Sequence, residues 1–456
     1  MTSSLKFGTS GLRGLATDLV GVESRRYAAA FLRYLKGRGE VRQVLVGRDL
    51  RASSPEIAAS VISALDVEIV DCGELPTPAL ALEAMRRGAP AIMVTGSHIP
   101  ADRNGLKFYR ADGEIDKADE AAILAALGDA VELNRRVSRE PRALARYLDR
   151  HARLLPSGAL AGRRIGVWQH SSVARDVFVD ALAMFGAHVV PLGRSDIFVP
   201  VDTEAVDTGT AAQLAAWVKA HRLDALISTD GDADRPLLVD EAGALVRGDI
   251  IGILTARFLS ADTVVTPVTS NSSIEGTGAF RRVIRTKVGS PFVIAGMTQA
   301  TGAVVGFEAN GGVLLGSDVS INGATIAALP TRDALLPILS VLGAAEAAGR
   351  TVSQLVATLP PRIARSDRLE HVPAERTALL LERLAADAAG YFAEQGTIHS
   401  VSTIDGLRYE FTSGDVIHYR PSGNAPELRC YTEASTAARA DALLAWGLSS
   451  AEAVVR

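Results

Sequence analysis

Short apolar runs alternate with amphipathic stretches along most of the chain, and each run ends in a polar loop. One such unit opens with Gln43-Val44-Leu45-Val46-Gly47-Arg48-Asp49, continues through the helix-like Pro55 to Leu65 and closes on Val67-Glu68-Ile69-Val70. The pattern returns at Arg164-Ile165-Gly166-Val167-Trp168, Ala174 to Phe185 and His188-Val189-Val190. It returns again at Thr263 to Val268, a Ser/Asn loop and Arg282-Val283-Ile284-Arg285. Strands alternating with helices of about 10–15 residues predict βαβ units and mostly parallel sheets. No close sequence repeat accompanies the architectural one.

Toward the end the pattern changes. Thr397-Ile398-His399-Ser400-Val401, Tyr409-Glu410-Phe411 and Val416-Ile417-His418-Tyr419 are short alternating runs with turns between them, and a helix is expected from Ser435 to Ala451. This region reads as a smaller α+β domain. Boundaries are expected in the Arg-rich stretch Asn134 to Tyr147, the turn Gly243 to Asp249 and the segment Ala348 to Arg365, which contains Pro360-Pro361. The resulting division is 1–145, 146–245, 246–360 and 361–456.

The length of 456 residues suits three or four domains, and 48 % hydrophobic residues supply ample core. A net charge of −4 argues against nucleic-acid or membrane-surface binding, which needs a basic excess. Cys72 and Cys430 are too few for a disulfide scaffold or a zinc site and fit a reducing compartment. The N-terminus lacks an apolar signal core, and no stretch approaches the ~18 apolar residues of a membrane helix. A cytoplasmic protein without nucleic-acid or membrane partners is expected.

Chemistry concentrates in a few loops. After the buried-strand run Ala91-Ile92-Met93-Val94 comes Thr95-Gly96-Ser97-His98-Ile99-Pro100, then Asn104-Gly105-Leu106-Lys107. A serine at the carboxyl end of such a strand stands where open α/β sheets bind ligands. Asp230, Asp232 and Asp234 alternate after Ala225-Leu226-Ile227, and three converging carboxylates need a hard cation such as magnesium or calcium. An EF-hand is excluded, because Arg235 holds its sixth position and Pro236 follows, although Glu241 falls at the twelfth. Arg235 adds a fixed positive charge beside the loop. Arg420-Pro421-Ser422-Gly423-Asn424 gathers a guanidinium, a hydroxyl, an amide and exposed backbone, the donors a phosphate monoester needs. In Gly306-Phe307-Glu308-Ala309-Asn310-Gly311-Gly312, Glu308 and Asn310 could bond vicinal hydroxyls of a sugar. Phe7 to Gly14 is glycine-rich but lacks the lysine and strand-to-helix setting of a nucleotide P-loop.

Taken in order, these motifs, with Gly47-Arg48-Asp49-Leu50-Arg51 and Ser53-Ser54, resemble those of the α-D-phosphohexomutase superfamily, specifically its bacterial phosphomannomutase/phosphoglucomutase group. The resemblance spans essentially the whole chain. It implies an α/β protein of four domains around a central cleft, three related mixed α/β domains plus a smaller α+β C-terminal domain. It further implies a phosphoserine at Ser97 and Mg2+ held by Ser97, Asp230, Asp232 and Asp234. Arg13, His98, Lys107 and Arg235 would neutralise charge or move protons. Glu308 and Asn310 would face the sugar, Lys287 matches a lysine of the third domain, and Arg420, Ser422, Gly423 and Asn424 would grip the non-reacting phosphate. The implied reaction is interconversion of mannose 1-phosphate and mannose 6-phosphate through a hexose 1,6-bisphosphate, which also serves as activator, in a monomer or homodimer feeding GDP-mannose synthesis.

Three departures bear on the sugar. Ile99 stands where related serine loops have asparagine; Asn310 and Gly312 stand where related sugar loops have serine and histidine; Ser290 replaces a histidine after Lys287. Phosphoglucomutase or dual activity is therefore the alternative. A phosphoglucosamine mutase fits less well, since its sugar loop carries glutamine and serine after the glutamate. A metal-dependent phosphatase and a non-catalytic sugar-phosphate sensor are the readings from other classes.

Overall fold

The computed structural model describes residues 4–8, 11–134, 136–422 and 426–456. The chain forms two compact units, Met1–Val264 with Gly289–Val356, and Val265–Val288 with Ala357–Arg456.

In the first unit, strands Lys6–Gly8, Gly11–Leu15, Arg103–Arg110, Ala91–Val94, Gln43–Arg48, Glu68–Glu74 and Val137–Arg139 lie side by side in that order. From Ala91–Val94 through Val137–Arg139 the neighbours are parallel; on the other side they are antiparallel. The expected mostly parallel sheet is thus mixed. The reason is local: the chain leaves the serine loop straight into Arg103–Arg110, the neighbour of the strand it has just left, and such a hairpin can only be antiparallel. Helices Val22–Lys36 and Ser54–Ser63 supply the apolar residues that cover this sheet, with Phe31, Ile57 and Val61 packed among Val44, Val46 and Ile92. Pro55 sits in the first turn of the second helix, where its fixed φ and missing N–H are harmless. The stretch expected as the first boundary holds the strand Val137–Arg139, paired to Glu68–Glu74, and the start of helix Ala143–His151.

A second sheet runs His188–Arg194, Arg164–His170, Ala225–Thr229, Pro236–Asp240, Leu245–Val246. Its first three strands are parallel, as the repeated strand–helix–strand pattern predicts, and the last two turn back antiparallel. The third group in this unit is an antiparallel set, Val304–Phe307, Val313–Leu315 and Leu329–Asp333. Helix Gly248–Phe258 lies so close to it that a Cβ on Gly252 would stand 2.4 Å from the Phe307 ring.

The second unit is built on an antiparallel sheet ordered Ile363–Glu370, Glu427–Ala434, Val416–Pro421, Leu407–Phe411, Ile398–Ser402. Leu380, Leu384, Leu443 and Ala451 of two helices pack on its Tyr409, Phe411, Ile417 and Leu428. The segment 265–288 is fastened to it by Glu433, which accepts from the Ser272 backbone at 3.0 Å, and by Asp405, which accepts from Val288 N at 3.0 Å. No helix among the described residues is long and apolar enough to cross a membrane.

Candidate active site

Two hairpin loops meet in the first unit. One joins Ala91–Val94 to Arg103–Arg110 and carries Ser97; the other joins Ala225–Thr229 to Pro236–Asp240 and carries the three aspartates. Each contains a non-glycine residue in the left-handed region, Ser97 at φ 54° and Ala233 at φ 59°. Such a backbone costs roughly 1–2 kcal/mol and persists only where the surroundings over-determine it. At Ser97 the surroundings are explicit. Its N–H donates to Thr95 Oγ1 at 2.8 Å, and the fully buried Arg51 donates to the carbonyls of Ser97, Ile99, Pro100 and Arg103 at 2.6–2.9 Å. Asp49 holds Arg51 at 3.3 Å and accepts from Thr95 Oγ1 at 2.7 Å. Gly96 is required there, since a Cβ would lie 2.6 Å from the Arg51 guanidinium carbon.

Ser97 Oγ donates to Asp230, and His98 Nδ1 lies 3.3 Å from the same oxygen. The hairpin returns Lys107 opposite Met93, and its Nζ stands 2.6 Å from both Asp232 and Asp234. Arg13 lies opposite Gly105 on the next strand, on the face Lys107 occupies. Arg235 places its N–H 3.3 Å from Asp230 and its Nε 3.8 Å from Asp234. The structure therefore brings Ser97, His98, Lys107, Arg13, Arg235 and the three aspartates together.

The aspartates fit a metal. All three are buried, each offers one oxygen so that these atoms lie within 4.8 Å of one another, and Asp232 Oδ1 and Asp234 Oδ1 have no hydrogen-bond partner among the described residues. A buried carboxylate oxygen left so is costly unless a cation completes it, and an all-oxygen donor set suits a hard divalent ion. The charges shift one another accordingly. Burial, then Asp232 and Asp234, push Asp230 well above the carboxylate range. Burial acts the same way on Asp234, but Arg332, Lys107 and Arg235 outweigh it and hold that group low. Burial and the neighbouring Arg235 and Arg13 keep His98 neutral. Burial with Arg235 and Arg332 lowers Arg13 to about 10.

Glu308 and Asn310 sit in a third hairpin loop, between Val304–Phe307 and Val313–Leu315. Glu308 is buried and accepts from Arg332 at 3.0 Å. Asn310 turns its side-chain oxygen to Gly312 N at 3.0 Å, while its carbonyl accepts from Thr203 at 2.9 Å, so it braces its own loop.

The remaining expected residues belong to the second unit. Asp405 gathers Val288 N, the neighbour of the exposed Lys287, and Arg420 Nε at 2.7 Å. Ser422 N donates to Glu427 O at 2.9 Å. Gly423 and Asn424 lie outside the described residues.

Four family models match the chain in succession: the phosphoglucomutase/phosphomannomutase alpha/beta/alpha domains I, II and III over residues 4–132, 145–243 and 247–363, and the C-terminal domain over 368–445. A phosphomannomutase of Sinorhizobium fredii is 51 % identical over 97 % of this chain and 98 % of its own. The chain belongs to the phosphoglucomutase/phosphomannomutase family. A second phosphomannomutase, from Salmonella muenchen, is 44 % identical over 95 % of this chain and 93 % of its own. Among solved structures, a phosphoglucomutase/phosphomannomutase family protein from Burkholderia thailandensis shares the fold, with a TM-score of 0.77, 21 % identity and 98 % coverage of both chains.

Two residues of this family member's site escape sequence reasoning. Thr77 opens a helix and donates its hydroxyl to Asp232, with its N–H on the Asp232 carbonyl at 2.9 Å. Arg332 contacts both Asp234 and Glu308. The Thr331-Arg332-Asp333 triplet between apolar neighbours was a signal for the second; an ordinary Pro-Thr-Pro helix start offered none for the first.

Proposed function

We propose that the protein is a magnesium-dependent phosphomannomutase working through a phosphorylated Ser97. The observation that carries this is the buried Ser97 Oγ bonded to Asp230 beside two further aspartates, Lys107 and Arg235. A sugar-phosphate sensor has no use for a strained serine held there by four carbonyl contacts to Arg51.

The substrate hydroxyl oxygen forms a bond to the phosphorus on Ser97 as the bond from phosphorus to Ser97 Oγ breaks. As that bond breaks, Ser97 Oγ takes a proton from His98, whose Nδ1 stands 3.3 Å from it, and the proton released by the substrate hydroxyl restores the imidazole, so serine and histidine both end the step neutral. The product is a hexose 1,6-bisphosphate. After it turns around, the reverse step returns the other phosphoryl group to Ser97 and releases the isomer. Magnesium, when held by Asp230, Asp232 and Asp234, supplies positive charge against the phosphoryl oxygens. Lys107 and Arg13 add fixed charge without reorganisation, because their places in neighbouring strands are set by the sheet. Glu308 bonds sugar hydroxyls. Arg420, Ser422, Gly423 and Asn424 bind the phosphate that does not react, with Lys287 assisting, so binding energy remote from the reacting centre orients the sugar. A trace of hexose 1,6-bisphosphate keeps the serine phosphorylated, and the free thiols Cys72 and Cys430 suit the cytoplasm.

Peptide mass spectrometry after incubation with hexose 1,6-bisphosphate should place one phosphate on Ser97, and Ser97→Ala should lose turnover while retaining substrate binding. Undiminished turnover in that variant contradicts the mechanism.

A further inference from the structure

Strand Leu329–Asp333 places three consecutive polar side chains in three buried networks of the first unit. Thr331 donates to Glu114 at 2.7 Å, and Asp333 accepts from Tyr147 Oη at 2.6 Å and from Leu335 N at 2.9 Å. Between them Arg332, 2 % exposed, donates from Nε and Nη2 to Asp234 Oδ2 at 3.1 and 2.7 Å and from Nη1 to Glu308 Oε2 at 3.0 Å. One planar fork thus spans the acidic loop and the sugar loop, a geometry that an ammonium cannot reproduce. A second observation concerns Gly312. A Cβ there would lie 2.5 Å from Arg332 Cδ and 2.8 Å from Cγ. No side chain fits at position 312 while the Arg332 stem occupies that space.

We infer that Arg332 is a positioning residue that fixes Glu308 in register with the acidic loop, and that Gly312 is bare so that the Arg332 stem can pass beneath it to reach both carboxylates. The inference rests on the reading of Glu308 as the hydroxyl ligand. If Arg332 acts by aligning Glu308, its removal costs nothing further once Glu308 can no longer accept. It also strips positive charge from Asp234, so a divalent cation should be held at least as tightly; mere collapse of the loop would release the cation.

The test is a double-mutant cycle on Arg332→Met and Glu308→Gln, read on whichever hexose 1-phosphate the native enzyme isomerises faster, with Mg2+ affinity of the unphosphorylated proteins measured by calorimetry. Each single variant should lose about 100-fold in kcat/KM, the scale for misplacing a reacting centre by an ångström. The double variant should lose no more than about threefold beyond the worse single. Arg332→Lys should not rescue, and Mg2+ should bind Arg332→Met as tightly as native or tighter. Losses that multiply, or Mg2+ binding weakened in step with activity, overturn the inference while leaving the native mutase activity, and so the function itself, standing. Should Arg332→Met not fold, Gly312→Ala takes its place against Arg332→Ala: the alanine at 312 should impair kcat/KM in the native background and much less where position 332 lacks the Cγ and Cδ that it would strike. Equal impairment in both backgrounds contradicts the pairing.

Discussion

The Arg51 guanidinium donates to the Ser97 carbonyl at 2.9 Å from a side chain without solvent exposure. It makes three further carbonyl contacts along the same loop and stacks on the Phe198 ring at 3.9 Å. The left-handed serine is therefore held by a fully buried side chain.

Removing that support should damage fold and activity together. Arg51→Met leaves Asp49 buried without its cation, and breaking such a pair costs about 3–5 kcal/mol. Denaturant unfolding should register that loss. Arg51→Lys keeps the charge but not the fork, so it should remain folded with a lowered kcat. An Arg51→Lys variant with native kcat would show that the loop holds its shape without the four carbonyl contacts.

Metal removal supplies another test. Excess chelator should stop turnover, and adding Mg2+ back should raise the melting temperature, since a ligand at 100 times its Kd stabilises by about 2.7 kcal/mol. Asp232→Asn, which alters one of the three grouped carboxylates, should abolish the thermal response. Turnover persisting in chelator would remove the metal from the aspartate loop.

His418 gives the second unit's stability a pH dependence. It is buried, stacks on Tyr431 and contacts the Asp405 carbonyl at 2.5 Å; burial, with Arg408 nearby, lowers its pKa to about 4. Unfolded, the imidazole titrates near about 6.5, so between these values the unfolded chain binds the proton and the folded chain does not. Stability from this group is complete above pH 6.5 and falls by about 3 kcal/mol as the pH drops to 4. Relative to His418→Gln, the native protein should lose that amount across the window. Parallel pH profiles for the two proteins would show that His418 titrates alike in both states.

Most of the strands around the site are legible because buried runs such as Ala91–Val94 and Ala225–Thr229 are continuous and end in loop residues. The partner strand Arg103–Arg110 is not: Asn104, Gly105 and Lys107 mask its pattern, since the sheet buries Lys107 against carboxylates from another loop. The same blindness hides Arg332, whose partners Asp234 and Glu308 are 98 and 24 residues away. Asn310 adds a contact that its residue type does not announce: its side-chain oxygen accepts from Gly312 N, which depends on the loop conformation. Charged residues read in a sequence as surface are, at this site, neutralised in the interior by partners only the fold can supply.

The most direct test is steady-state turnover of mannose 1-phosphate and glucose 1-phosphate side by side, with Mg2+ and a trace of hexose 1,6-bisphosphate. Isomerisation with a clear preference for mannose 1-phosphate is the expected result. Comparable rates would make the enzyme a dual phosphohexomutase, and steady release of inorganic phosphate without isomerisation of either ester would contradict mutase function.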